Sequence, residues 1–272
     1  MIFNLSVPAK KAVETVASLS AKSGVTYTNG IAGLDAATVS LAAQAISNNA
    51  EITYLTTAVY VDNDASGLHR KISIGDQVTL SLNGTDYVFN IIGFNHAGLT
   101  NASAYGAATA TGKAGITLQM RDIFGTSYGM KTPRSNVGGW KLSDMRTSVM
   151  VLMKSYLPTA WQDIIKPVDN IASGGGYPPA GLDTVSDSCF LLSEVEVFDS
   201  LKWSVSGEGT QYAYYRAGNS PKKTQNGEEF IWYERSAMYN NENFYCTVRA
   251  DNGQPGNSSA ANKRGVAFAF CV

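Results

Sequence analysis

The sequence predicts an α+β protein: a small helical module over residues 1–66, then a larger domain over 67–272 made of a β-hairpin, two helices and a loop-rich mixed sheet. Three observations carry that prediction. The first 60 residues are poor in charge, and 25 of them are Ala, Ser or Thr. A strict alternation of apolar and polar residues begins past Ile72, the period of a half-buried strand. A helical periodicity then runs from Ser143 to Pro158.

The elements follow in order. A first helix is expected from about Pro8 to Lys22, because Pro is tolerated in a first turn and Gly24 lies past the end. A second is expected after Asp35, an N-cap residue, with Leu34 and Val39 at the positions of a hydrophobic staple. Its apolar side is mostly alanine (Ala36, Ala42, Ala43), too little area to fold a helical hairpin alone, so the module is expected to dock on another subunit. In QVTLSL-NG-TDYVFNII, Val78, Leu80 and Leu82 alternate, Asn83-Gly84 suits a type I′ turn, and Tyr87, Phe89 and Ile91 alternate back. A Gly/Ala/Thr-rich loop from about Ala97 to Gly115 reads as an exposed excursion. Ser143 caps a helix with Met145, Val149, Leu152, Met153 and Tyr156 on one face, and a short helix over Thr159–Ile165 follows Pro158. After the turn-rich SGGGYPPAG come strand-like pieces: CFLLSEVEVF, FIWYERSA, NFYCTVRA and RGVAFAFCV.

Composition excludes several classes. Lys and Arg number 21 against 22 Asp and Glu, for a net charge of −1, and no basic run offers a counterion-displacing surface, so no nucleic-acid partner is expected. The 28 aromatic residues argue against disorder. No apolar run approaches the ~20 residues of a membrane span, and MIFNLSVPAKKAVETV lacks the order of a secretory signal, so the expectation is synthesis in a host cytoplasm without a signal peptide. Cys189, Cys246 and Cys271 are expected to be buried thiols. Cys246 and Cys271 sit in similar apolar sequence and could be neighbours.

Five stretches carry a resemblance: YVFNIIGFNH (87–96), GGWKLSDMRTSVMVLMKSYLPTAWQDIIKPV (138–168), SDSCFLLSEVEVF (186–198), FIWYERSA (230–237) and RGVAFAFCV (264–272). In order and spacing they resemble a family of uncharacterised domains of Firmicutes and their phages, over about residues 71–272. The chain departs from the family pattern at Ala267-Phe268-Ala269, where Pro usually precedes Ala-Phe, and at Ala97, where Asp often follows the His. The same succession is similar to C-type-lectin-like folds, including phage variable proteins. That likeness implies two helices on a small mixed sheet with a loop-rich binding face, and a fold does not fix a function.

Candidate chemistry is sparse. DNDASG (62–67) begins like a calcium loop, but Ser73 stands where the bidentate Glu belongs, so a polar linker is expected and no metal or cofactor. His96, after Asn95, has no nucleophile or carboxylate motif beside it and is expected to pack or turn the chain. Glu194 and Glu196 would share the solvated face of a strand, and a glycosidase pair is the alternative. A cysteine oxidase would have only Cys246 and Cys271 to use.

Aromatic crowding is the more informative feature. Residues 203–245 hold ten aromatics in 43 positions, mixed with Asn and Arg, a composition suited to recognition loops. Trp203, Phe230, Trp232, Phe244 and Tyr245 are expected in strand cores. Tyr214, Arg216, Asn219, Tyr233, Arg235, Tyr239, Asn240, Asn241 and Asn243 are the candidate ligand contacts. The resulting expectation is a non-enzymatic phage virion protein, displayed for adhesion or receptor binding at a tail fibre or baseplate. Its partners would be other virion proteins through residues 1–66, itself as a homotrimer, and a host-surface glycan or protein. Capsid decoration and a cell-wall-active or cysteine-dependent enzyme remain the alternatives.

Overall fold

The computed structural model describes residues 15–63, 67–105 and 110–272. Where the sequence predicts the first helix, Thr15–Ser18 forms a strand, β1; residues 8–14 of that expected helix lie outside the described residues. Thr15 and Val16 are β-branched and take strand geometry once a distant partner is present, which local capping signals do not reveal. There follow β2 (Thr28–Asn29), α1 (Ala36–Ser47), β3 (Ala58–Asn63) and β4 (Leu68–Ser73). The strands form one sheet in the order β1-β3-β4-β2, so the expected helical module is a small sheet carrying one helix.

Helix α1 begins as its sequence predicts, with the Asp35 carboxylate accepting from the Thr38 amide at 2.7 Å. Its Ala36, Val39, Ala42, Ala43 and Ile46 are buried, but within this chain, against β1 and β3. A Cβ on Gly115 would lie 1.9 Å from the Ala43 carbonyl oxygen, so the small residues of the helix serve a close backbone approach to the rest of the molecule. The boundary at residue 66 falls between β3 and β4, which pair from Ala58↔Ser73 to Asn63↔Leu68. Asp62 is a buried strand residue there, paired with Lys22 and His69, and not part of a linker; residues 64–66 lie outside the described residues.

The predicted hairpin is β5 (Gln77–Leu82) and β6 (Thr85–Phe94), and Asn83 and Gly84 take φ of 48° and 83°, both positive as a type I′ turn requires. β7 (Ile116–Met120) pairs on β6. The loop before it is less exposed than predicted, since Ala97, Leu99 and Ala114 are buried. Ser143 opens the long helix, its Oγ accepting from the Arg146 amide at 3.1 Å. The first turn, Met145–Val149, is π-helical and runs into α2 (Met150–Tyr156), followed by α3 (Thr159–Ile164), which packs on α1.

A second hairpin, β8 (Val168–Ser173) and β9 (Leu182–Asp187), leads to β10 (Cys189–Phe190). The predicted strand stops there: Glu194–Phe198 is a helical turn, α4, opened by a capping box between Ser193 and Glu196. Next come α5 (Ala213–Arg216), β11 (Thr224–Gln225) and β12 (Glu228–Glu229), then β13 (Trp232–Ala237), β14 (Phe244–Val248), β15 (Pro255–Ser259) and β16 (Ala269–Cys271). The main core lies on the sheet β10-β16-β7-β6-β5, where Phe89 meets Phe268 and Phe270 edge-on. All three cysteines are buried and free. Cys246 and Cys271 belong to different sheets, and it is β10, with Cys189, that pairs with β16. No helix among the described residues is long and apolar enough to cross a membrane.

Candidate functional site

Glu194 and Glu196 are buried, contrary to the solvated strand face predicted for them, because the α4 turn rotates both inward. The Glu194 carboxylate accepts from the amides of Lys202 (3.1 Å), Trp203 (3.0 Å) and Ser204 (2.8 Å) and from Ser204 Oγ (2.6 Å). Glu196 takes a bidentate pair from Arg235 at 2.5 and 2.8 Å. Arg235 also donates to the carbonyls of Leu191 and Glu208. The Glu208 carboxylate accepts from the Ser173 amide at 2.7 Å and from Ser236 Oγ, and burial pushes its carboxyl up to about 7. Glu234 is fully buried with neither oxygen hydrogen-bonded among the described residues, and burial with three glutamates nearby holds it far above the usual carboxylate range. The cluster is a fastening for the 202–208 loop, with its polar atoms turned away from solvent.

Among the predicted contacts, Tyr233 and Arg235 therefore belong to the interior. Tyr233 is buried and its hydroxyl donates to the Ser259 and Asn262 carbonyls, while Arg235 anchors α4. Tyr214, Arg216 and Asn219 form a separate group at α5: Tyr214 Oη accepts from Asn90, Asn219 donates to the Tyr214 carbonyl, and Arg216 lies over the Tyr54 ring at 5.3 Å. His96 stacks on Tyr212 with centroids 3.7 Å apart, a packing role, and burial lowers its pKa to about 4. Asn95, at φ 42°, turns the chain and donates to the Ile46 and Ile52 carbonyls.

Tyr239, Asn240, Asn241 and Asn243 come together on the β13–β14 loop. A residue that the sequence gives no reason to single out, Asn136, holds that loop. Buried completely, it donates to the carbonyls of Met238, Asn241 and Phe244 and accepts from the Gly176 amide at 2.8 Å. The Tyr239 amide in turn donates to the Trp203 carbonyl at 2.8 Å. Four loops thus converge, and they and the segments adjoining them expose Val137, Leu142, Tyr177, Leu182, Leu201 and Tyr239.

Next to the Tyr239 loop, Trp203 lines a groove of about 510 Å³ on the β14–β15 side together with Thr247, Arg249, Asp251 and Asn257. Sequence reasoning places Trp203 in a core; it is only half-buried, with the Lys202 ammonium 5.6 Å from its ring centroid. Glu194 fixes its backbone. An indole platform beside hydroxyl, amide, carboxylate and guanidinium groups can stack a sugar ring and bond its hydroxyls. No cluster of His, Cys, Asp or Glu among the described residues has a metal-holding arrangement.

By architecture this is a mixed α+β protein, mostly sheet, with a face built from loops. The chain belongs to the family described as Domain of unknown function (DUF6273), whose model matches residues 114–272. That span holds the loop face and the Trp203 groove and leaves the first sheet and the β5–β6 hairpin outside. No curated protein and no solved structure matches the chain. Within the matched span the motif words bond to each other. Trp140 Nε1 and Arg146 Nε donate to Asp187 at 2.8 and 2.6 Å, and Glu196 of the LLSEVEVF stretch pairs with Arg235 of FIWYERSA.

Proposed function

We propose that the protein is a displayed recognition module, an adhesion or receptor-binding component of a phage tail fibre or baseplate that binds a host-surface glycan without chemistry. In this reading the loop face works as the irregular face of C-type-lectin-like folds does. One observation carries the proposal. The Tyr/Asn-rich loop, the Asn136 junction and the Trp203 groove adjoin, and their loops with the residues next to them hold six of the twelve large apolar residues exposed among those described. A gathered apolar surface rimmed by polar groups marks an interaction site. Five more (Val16, Leu19, Leu41, Tyr54 and Leu55) lie within the first 66 residues, which suits attachment to other virion proteins at that end. Repetition in a homotrimer would add avidity to a weak single site.

The test is binding of fluorescent protein to Gram-positive cells and to arrayed cell-wall glycans. Trp203→Ala, and Tyr239→Ala with Asn241→Ala, are expected to weaken binding by on the order of ten-fold or more, the scale of an aromatic hot spot. Undiminished binding by both variants would refute the site. Gold-labelled antibody on whole particles decides the location, and label on the head would replace tail adhesion by capsid decoration.

A further inference from the structure

A second groove, of about 420 Å³, lies where the π-helical turn Met145–Val149 and α2 pass the 186–189 segment. We propose that it binds a phosphate ester. Its hydrogen-bonding inventory is one-sided. The one carboxylate in its wall, Asp187, is buried and used up: Oδ1 accepts from Arg146, and Oδ2 from Trp140 and Asn170. The donors are not used up. Arg146 spends three N–H groups on Asp187 and on the carbonyls of Lys141 and Ser186, which leaves two of its five.

Among the described residues no carboxylate lies within ion-pair distance of Lys154. Its Nζ lies 3.4 Å from Ser188 Oγ, where it can donate only one of three protons. Ser188 Oγ accepts that bond and Ser186 Oγ accepts one from Thr100, so each keeps its own O–H to give. With Arg146 and Asp187 cancelling, Lys154 leaves the groove one positive charge.

A wall rich in charged and hydroxyl donors, whose carboxylate is already taken, favours a ligand that mainly accepts, and phosphate oxygens fit that demand better than sugar hydroxyls, which need both. Met150 and Val151, the latter 65% exposed, supply an apolar side for the organic part of the ester. The volume falls among those of small-ligand sites. The π-turn adds an independent indication: π-bulges recur at functional sites, and this one carries Arg146 and Thr147 to the rim.

The test is calorimetric titration of the full chain with inorganic phosphate and with glycerol 3-phosphate, against sodium acetate at equal ionic strength. Saturable binding of both phosphates is expected in roughly the millimolar range, with acetate weaker. Lys154→Gln is expected to weaken it about five-fold or more, and Ser188→Ala by roughly three-fold, while Trp203→Ala leaves it unchanged. Lys154 is half-exposed on α2, so its replacement should keep the melting temperature; if it does not, Ser188→Ala reads the same contact. Absence of saturable phosphate binding, or affinity unmoved by both variants, overturns the proposal. Equal affinity for acetate reduces the site to a general carboxylate and anion contact and overturns it equally.

Discussion

His96 shows at the scale of one residue how burial becomes pH dependence. Its ring stacks on Tyr212 and is edged by Tyr54, and its Nδ1 is buried without a partner among the described residues. The imidazole is held neutral, with its pKa lowered from 6.5 to about 4 by desolvation. A base with a depressed pKa in the folded state contributes stability above the unfolded value and loses it on acidification. Folding stability is therefore expected to fall by about 3 kcal/mol through His96 as pH drops from 6.5 to 4. Glu208 runs the other way: its carboxyl is raised to about 7, so its contribution is full below 4.5 and declines as pH rises toward 7. The wild-type curve holds both, and subtracting that of His96→Phe, which keeps the stack, isolates the histidine. Urea melts from pH 4 to 7 that give the variant the same slope as wild type would exclude this role.

At the scale of elements, the start of α4 shows one side chain with two duties. Ser193 Oγ accepts from the Glu196 amide at 3.3 Å and donates to the Glu208 carbonyl at 3.0 Å, while Glu196 reaches back to the Ser193 amide and also grips Arg235. Ser193→Ala is expected to cost about 1–2 kcal/mol and to lower the melting temperature by roughly 3–6 °C. Ser193→Thr should recover most of it, and a loss below ~0.5 kcal/mol in calorimetry would mean the cap holds nothing. This turn also shows what the sequence could and could not tell. The S-x-x-E signal was present in SEVE, yet the valine alternation in the same stretch favours a strand, and tertiary burial decided between them. The β5–β6 hairpin, α1, α2 and α3 were legible because their turn and cap chemistry is local. β1 was not, since Thr15–Ser18 becomes a strand only against Tyr60–Asn63, more than forty residues away. The candidate site divides likewise. Tyr239 to Asn243 follow from composition, whereas Asn136 and the Arg235–Glu196 pair depend on contacts 102 and 39 residues apart.

At the scale of the whole molecule, the question is whether residues 67–272 can stand without the first 66. The two parts share one continuous hydrophobic core. Asn95 donates to the Ile46 and Ile52 carbonyls, Ser47 Oγ donates to the Lys113 carbonyl at 2.6 Å, and Ala43 presses on Gly115. Removing the first 66 residues strips β4 of its antiparallel partner β3, uncovers Ile72, and takes away the carbonyls that accept from Asn95, each a destabilising change. In the proposed reading, attachment through this end would use its outward residues, Val16, Leu19 and Leu41 among them, because the inward face of α1 is already occupied. A fragment of residues 67–272 is accordingly expected to lose cooperative unfolding, or to melt roughly 10 °C or more below the full chain. Calorimetry on the two proteins at equal concentration makes the comparison. A fragment that melts cooperatively at the full chain's temperature would show that residue 66 is a true domain boundary and that the α1 contacts contribute little.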